Sequence, residues 1–380
     1  MVRHDKLFAA AILSLLVFGC GGGGSDGGDP APVASEIQVG ATPGDDGVFD
    51  PAPARDGSGT LWMSHSSVNW SADDTTLSQV YTRIASSTDS GSTWTDAGVD
   101  PNHRPPDFQV GSIRVTWRFE VSRLFYDPYD SDASRRWKML WHRVAAMGSP
   151  TPTPLFQNSW IGYSSAAAPD GSWSAERKLF TGSLYNAAEM DVVIGAPEFP
   201  LDSQYSADLG GCTVFTEPGV LARSDGIYVS LQCTTAKKIV LLRCDRGFSA
   251  CDYLGDLLTA ADAPQFSQGG EMLDFFGAPE LVDTATATYL IVTGVDEIVA
   301  GGENRYSGCL AFRIGDLANA TVERSGGVPV LVERVSGTSG SFNGACGYDA
   351  HATGSGIIYS EFTPSATPRF HLFASHVDLP

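Results

Sequence analysis

The sequence predicts an all-β fold, a five-bladed β-propeller, and three observations carry that prediction. First, short runs rich in β-branched and aromatic residues recur along the chain: Thr60–His65, Trp137–His142, Ile227–Leu231, Tyr289–Thr293 and Gly356–Glu361. Clusters of Gly, Pro, Asp and Ser separate them, and no stretch of helical period competes. Second, a short acidic element precedes each run: Phe49-Asp50-Pro51, Tyr126-Asp127-Pro128, Thr216-Glu217-Pro218, Ala278-Pro279-Glu280 and Gly347-Tyr348-Asp349. A loose repeat at intervals of roughly 60 to 90 residues, each long enough for four strands, is the signature of propeller blades. Third, 42 glycines and 22 prolines in 380 residues supply the turns that so many short strands need.

Composition narrows the function classes. The chain has 24 Lys+Arg against 44 Asp+Glu, a formal net charge of −20, which argues against nucleic acid and anionic lipid surfaces. The apolar share of 42% is enough for a packed core.

Taken in order, the N-terminus opens with basic Arg3, His4 and Lys6, then an apolar run from Leu7 to Phe18 too short to span a bilayer. Gly19-Cys20 follows where cleavage is expected. Residues 1–19 therefore read as a bacterial lipoprotein signal peptide with Cys20 lipidated; an ordinary secretory leader with a coincidental cysteine is the alternative. Residues 20–44, Gly- and Pro-rich, read as a flexible tether, and residues 45–380 as the propeller domain. The expected location is the bacterial cell envelope, with the outer membrane preferred and contact with it only through the lipid. The last unit is a strand short, and Ser35–Val39 would close the ring as its outer strand. Closure removes exposed edges that promote aggregation.

Six cysteines remain after Cys20, and an even count in an exported chain reads as disulfides. Cys244 and Cys251 are close enough to bridge one hairpin. Cys212 with Cys233 and Cys309 with Cys346 are the further pairings considered. No CxxC pair suggests zinc.

Two turns sharpen the fold. Ser87-Thr-Asp89-Ser-Gly91-Ser-Thr93-Trp94 matches the Asp box of sialidases and other propellers. There the aspartate accepts turn N–H groups, the glycine takes positive φ and the tryptophan packs between sheets. Gly162 to Trp173 is a looser equivalent, with Pro169, Gly171 and Trp173 in place. Together with Asp-Pro, Asp-Pro and Glu in the first three units, these turns resemble glycoside hydrolase family 43 and its five-bladed relatives. The resemblance spans roughly residues 45–378, on motifs of three to ten residues. It implies Asp50 as general base, Asp127 as the carboxylate that orients and tunes the acid, and Glu217 as general acid. Glu217-Pro218-Gly219 departs from the Glu-Gly-Pro of that family. His351 resembles a last-blade histidine that helps hold a central cation, so a central Ca2+ is the ion the resemblance allows, although no cofactor is required.

The implied chemistry is glycosidic cleavage, in which an acid protonates the leaving oxygen and a carboxylate activates water. A third carboxylate beside the acid keeps it protonated near neutral pH. The expected function is a lipid-anchored, monomeric glycoside hydrolase acting on a poly- or oligosaccharide, in inverting fashion. The alternative is a non-catalytic propeller that binds glycan or protein. His65 and His142 read as core or channel lining, and Trp62, Trp117, Trp137 and Trp141 as space-fillers between blades. Arg114, Arg118 and Arg123 read either as a sialidase-like carboxylate clamp or as the solvent face of a strand.

Overall fold

The computed structural model describes residues 33–40, 46–69, 79–103, 108–110, 113–147, 153–186, 195–297, 305–337, 341–349, 354–363, 366 and 368–380. The leader, Cys20, the tether through residue 32 and His351 lie outside the described residues.

Strand β1 (Ser35–Gly40) comes first, and blade 1 then runs outward as β2 (Val48–Arg55), β3 (Leu61–Asn69), β4 (Gln79–Ser87) and β5 (Thr93–Asp96). Blade 2 begins with the short β6 (Phe108–Val110) beside the inner strand β7 (Ile113–Tyr126). It continues through β8 (Trp137–Met147), β9 (Thr153–Ala166), β10 (Arg177–Thr181) and β11 (Phe199–Pro200). Blade 3 is β12 (Phe215–Arg223), β13 (Gly226–Cys233), β14 (Lys238–Cys244) and β15 (Cys251–Leu258). Blade 4 is β16 (Phe275–Asp283), β17 (Thr288–Asp296) and β18 (Arg305–Asp316). On its outer edge lie β19 (Thr321–Val322), the hairpin β20 (Arg324–Ser325) and β21 (Val328–Pro329), and β22 (Leu331–Val335). Blade 5 is β23 (Ser341–Gly347), β24 (Ile358–Phe362) and β25 (Phe370–Ala374), completed by β1.

The blades are antiparallel sheets apart from the parallel β10–β11 pair, and their innermost strands β2, β7, β12, β16 and β23 neighbour one another in a closed cycle. Five apolar seams fill the five blade boundaries. Trp117, Trp141 and Trp160 lie between blades 1 and 2; Ile227, Leu231 and Phe248 between blades 2 and 3; Leu241, Phe276 and Phe312 between blades 3 and 4. Ile291, Phe342 and Tyr359 separate blades 4 and 5, and Ile37, Met63, Trp94 and Leu372 separate blades 5 and 1. Because both faces of each blade are covered, middle strands such as β13 are buried throughout and show no polar alternation.

Strand β1 closes the ring from both sides. It pairs antiparallel with β25 (Ile37 opposite Leu372) and, further along, parallel with β5 (Val39 opposite Trp94). The segment around β1, inside the stretch 20–44, is ordered by sheet pairing on two edges. The two tryptophan turns are alike: Trp94 Nε1 donates to Gly91 O at 3.0 Å, and Trp173 Nε1 to Pro169 O at 3.1 Å. Asp89 accepts from the Thr93 amide at 2.9 Å and hydroxyl at 2.6 Å, and Gly91 stands at φ 92°.

Among the described residues three disulfides are present: Cys212–Cys233, Cys244–Cys251 and Cys309–Cys346. The last joins β18 to β23 and so staples blade 4 to blade 5. A disulfide stabilises chiefly by restricting the unfolded chain, more so for longer loops. Replacing Cys309 and Cys346 by alanine, which opens a separation of 37 residues, is therefore expected to cost about 4 kcal/mol. The same change at Cys244 and Cys251, 7 apart, is expected to cost about 2 kcal/mol. Urea denaturation of the two double variants checks the order.

Candidate active site

Each inner strand is interrupted by a bulge, and in each bulge one residue has left-handed backbone: Asp50 (φ 54°), Val121 (48°), Glu217 (53°), Ala278 (45°) and Gly344 (73°). Such angles are uncommon for residues with a Cβ and are strained for a β-branched one such as Val121. Proline follows at Pro51, Pro218 and Pro279, where its missing N–H costs the sheet no ladder bond. This is the true five-fold repeat of the structure. It corrects the repeat read from acidic residues, in which Asp127, Glu280 and Asp349 stood beside Asp50 and Glu217.

The bulges exchange hydrogen bonds in a repeated way. The Val121 amide of blade 2 donates to Asp50 Oδ2 of blade 1 at 3.1 Å, and the Ala278 amide of blade 4 donates to Glu217 Oε2 of blade 3 at 2.7 Å. Asp50 also accepts from Ser66 Oγ at 2.8 Å and, across the closing boundary, from the Ala345 amide at 2.8 Å. Gly344 permits that approach, since a Cβ there would overlap the Asp50 carboxylate. Gly277 does the same for Glu217: a Cβ would lie 3.1 Å from Glu217 Oε2 and 2.9 Å from Gln232 Oε1.

Around these two acids a third gathers. Glu120, next to the Val121 bulge, pairs with Arg118 (Nε to Oε1 2.5 Å), and both keep part of their surface open. The charges of Asp50 and Glu120 both act on Glu217. Tyr306 of β18 feels all three acids, and burial together with their charges raises its hydroxyl pKa. Burial lifts the Glu217 carboxyl to about 7, helped by Asp50 and Glu120 and opposed by the Ala278 amide and Arg123. Burial likewise raises Glu120, with Arg118 opposing and Asp50 adding. Asp50 is pushed up by burial against its three hydrogen bonds and the Arg123 charge. Asp50 has no exposed surface, whereas Glu217 is partly exposed and, among the described residues, carries no hydrogen bond on Oε1.

The structure thus brings Asp50 and Glu217 together and leaves Asp127 elsewhere. Asp127 lies six residues beyond Val121, on the order of 20 Å along the strand. There it is fully buried between Lys138 Nζ (2.9 Å) and Arg246 Nη1 (2.8 Å). Its role is to tie blade 2 to the Asp245–Ala250 turn of blade 3. Asp349 and Arg55 (2.5 Å) make the matching tie between blades 5 and 1, and Asp283 and Arg223 between blades 4 and 3.

His65 and His142 are buried, and burial lowers them to about 4 and about 3, so both are neutral linings. Arg118 and Arg123 correct the alternatives offered for them: Arg118 is paired with Glu120, and Arg123 is 1% exposed at the ring centre instead of on a solvent face.

Glu120 and Tyr306 escaped sequence reasoning. Glu120 follows Arg118 in an alternating strand and reads as an outward ion pair, with no Asp-Pro turn to flag it. A finer signal exists in the residues facing the bulges on the second strands, Ser66, His142, Gln232, Thr293 and Ser360. All five are polar and buried.

Among the described residues no cluster of three or more His, Cys, Asp or Glu side chains is arranged to hold a metal ion. The ring centre does not fit a Ca2+ ion either, because Pro51 O, Pro218 O and the Glu280 carboxylate all face the Arg123 guanidinium.

No family model matches the chain, and no curated protein matches it. Among solved structures it is similar to a GH43 endo-arabinanase from Bacillus licheniformis, at 15% identity and TM-score 0.46, covering 87% of this chain and 94% of that one. It is also similar to a family 117 glycoside hydrolase produced by Zobellia galactanivorans, at 14% identity and TM-score 0.48, covering 90% and 89%. A Bacillus subtilis arabinanase is similar at 13% identity and TM-score 0.43, covering 87% and 95%. The blade count rests on the strand pairing and seams above, not on these likenesses.

Glu217 stands at about 7 against an ordinary 4.5, so it holds a proton in the folded chain where the unfolded chain has lost it. Its contribution to stability is therefore complete below about pH 4.5 and is lost as pH rises through about 7. Thermal melts are expected to show a falling Tm between about pH 5 and pH 8. Glu217→Gln, which holds the neutral form, is expected to flatten that fall and to raise Tm at the alkaline end.

Proposed function

We propose that the ring mouth is the active site of a glycosidase that cleaves a poly- or oligosaccharide by carboxylate acid/base chemistry. The observation that carries this reading is the gathering of Asp50, Glu120 and Glu217 from three blades, with Glu217 held protonated up to about pH 7. A general acid needs that pKa and a free oxygen, and Glu217 has both.

The assignment of roles departs from what the family resemblance implies. Asp50 is enclosed, with both oxygens bonded, so no face remains for an attacking water. Glu120 is partly exposed, and the Arg118 charge beside it opposes the burial that raises its carboxyl. In this proposal Glu217 protonates the leaving oxygen, Glu120 draws a proton from water, and Asp50 behind them keeps the acid protonated. Attack by the Glu120-activated water on the face opposite the departing oxygen gives inversion at the anomeric carbon. The leader and Cys20 support export and lipid attachment at the outer membrane, so the substrate would be an extracytoplasmic glycan met by a tethered monomer.

A second reading keeps the same pocket as a glycan-binding site without turnover, and the enclosure of Asp50 favours it. Assays on a panel of aryl glycosides and arabinans separate the two. Glu217→Gln and Glu120→Gln are each expected to lower kcat by about 10²–10⁴-fold, and Asp127→Asn to leave it near wild type. Product NMR is expected to show the inverted anomer. Glycan binding without turnover on any substrate would favour the binding reading, and turnover indifferent to both glutamine variants would contradict the roles given to Glu217 and Glu120.

A further inference from the structure

One charge sits where the inner strands meet. Arg123 leaves β7 just after the Val121 bulge. Its Nε donates to Pro218 O of β12 at 3.0 Å and lies 2.6 Å from Glu280 Oε2 of β16. Its Nη1 donates to Pro51 O of β2 at 3.4 Å. In a ring of five, blade 4 does not adjoin blade 2, so a side chain from β7 that reaches β16 has crossed the axis. Three inner strands therefore turn oxygens, two carbonyls and a carboxylate, toward a single cation. The carbonyls belong to the bulge prolines that follow left-handed Asp50 and Glu217, where the backbone has left the ladder.

Carbonyl and carboxylate oxygens converging on one point are the donor set that a hard cation such as Ca2+ takes. Here a guanidinium already fills that point, with its donors fixed in a plane and its charge delocalised. We propose that Arg123 is a built-in central cation, holding blades 1, 3 and 4 to blade 2 in place of a metal ion, so that folding needs no metal at the ring centre. A tethered cation has an advantage over a bound one: it cannot be lost by dilution or chelation. The Asp50, Glu217 and Glu280 carboxylates all lie within its field. The proposal does not depend on the glycosidase reading and is tested without any substrate.

Thermal melts of the full chain decide it. Excess EGTA and millimolar CaCl2 are both expected to leave the wild-type Tm unmoved. Arg123→Met keeps volume but leaves Glu280 buried without its partner, and is expected to melt about 10 °C lower. Arg123→Lys keeps the charge without the planar fork and is expected to melt between the two. An EGTA-induced fall in wild-type Tm that Ca2+ restores would overturn the proposal, as would an Arg123→Met variant as stable as wild type. Should Arg123→Met fail to fold, Arg123→Lys decides: a folded variant supports a requirement for charge, and failure of both variants contradicts it.

Discussion

A left-handed residue in the bulge of every inner strand is the constraint on which the rest of this molecule depends. A regular inner strand would direct its amides only into its own blade. The bulge turns one amide sideways, across the boundary, to a neighbour's carboxylate: Val121 to Asp50 and Ala278 to Glu217. Acids at the bulges of blades 1 and 3 alternate with apolar residues at those of blades 2 and 4, and the fifth boundary is closed by Ala345 on Asp50. The strain at Val121 and Ala278 is held by these bonds and by the seams on either side. The same turn that joins the blades also places carboxylates at one mouth, so assembly and chemistry share their residues.

Burying so many charges is costly unless they are matched, and several of the described ones are. Lys138 sits between Asp127 and Asp130, at 2.9 and 2.6 Å. Arg143 meets Glu176 and lies over the rings of Trp117 and Trp160, at 4.2 and 4.6 Å. Arg123 faces Glu280 and two carbonyls at the axis. These pairs tie inner strands to their surroundings and leave the surface to carry the acidic surplus. Around Glu217, Glu120 and Arg118 charges are clustered and partly open beside the inner-strand bulges, a combination found at functional sites.

Much of the fold was legible in the chain because propellers repeat. Strand runs, turn clusters and the tryptophan turns each report locally on structure, and Ser35–Val39 was expected as a closing strand because the last unit is a strand short. The candidate site was legible only in part. Asp-Pro and Glu-Pro mark turns and bulges equally well, since proline suits any place where an N–H has no ladder partner. At Asp50 and Glu217 the motif marks a bulge; at Asp127 it marks the exit of the strand, where an ion pair between blades needs a buried acid. Glu120 carries no local signal at all. Its importance comes from standing beside a bulge formed by valine, a position that only the register with β8 reveals.

The coupling of the three carboxylates is the central physical claim, and a site-resolved titration reaches it directly. Carbon-detected NMR of the Glu217 side-chain carboxyl in wild type, Glu120→Gln and Asp50→Asn follows its protonation without reference to any substrate. The account predicts a wild-type midpoint at about 7 that moves downward in both variants. A wild-type midpoint near the ordinary 4.5, or one indifferent to both substitutions, would contradict it.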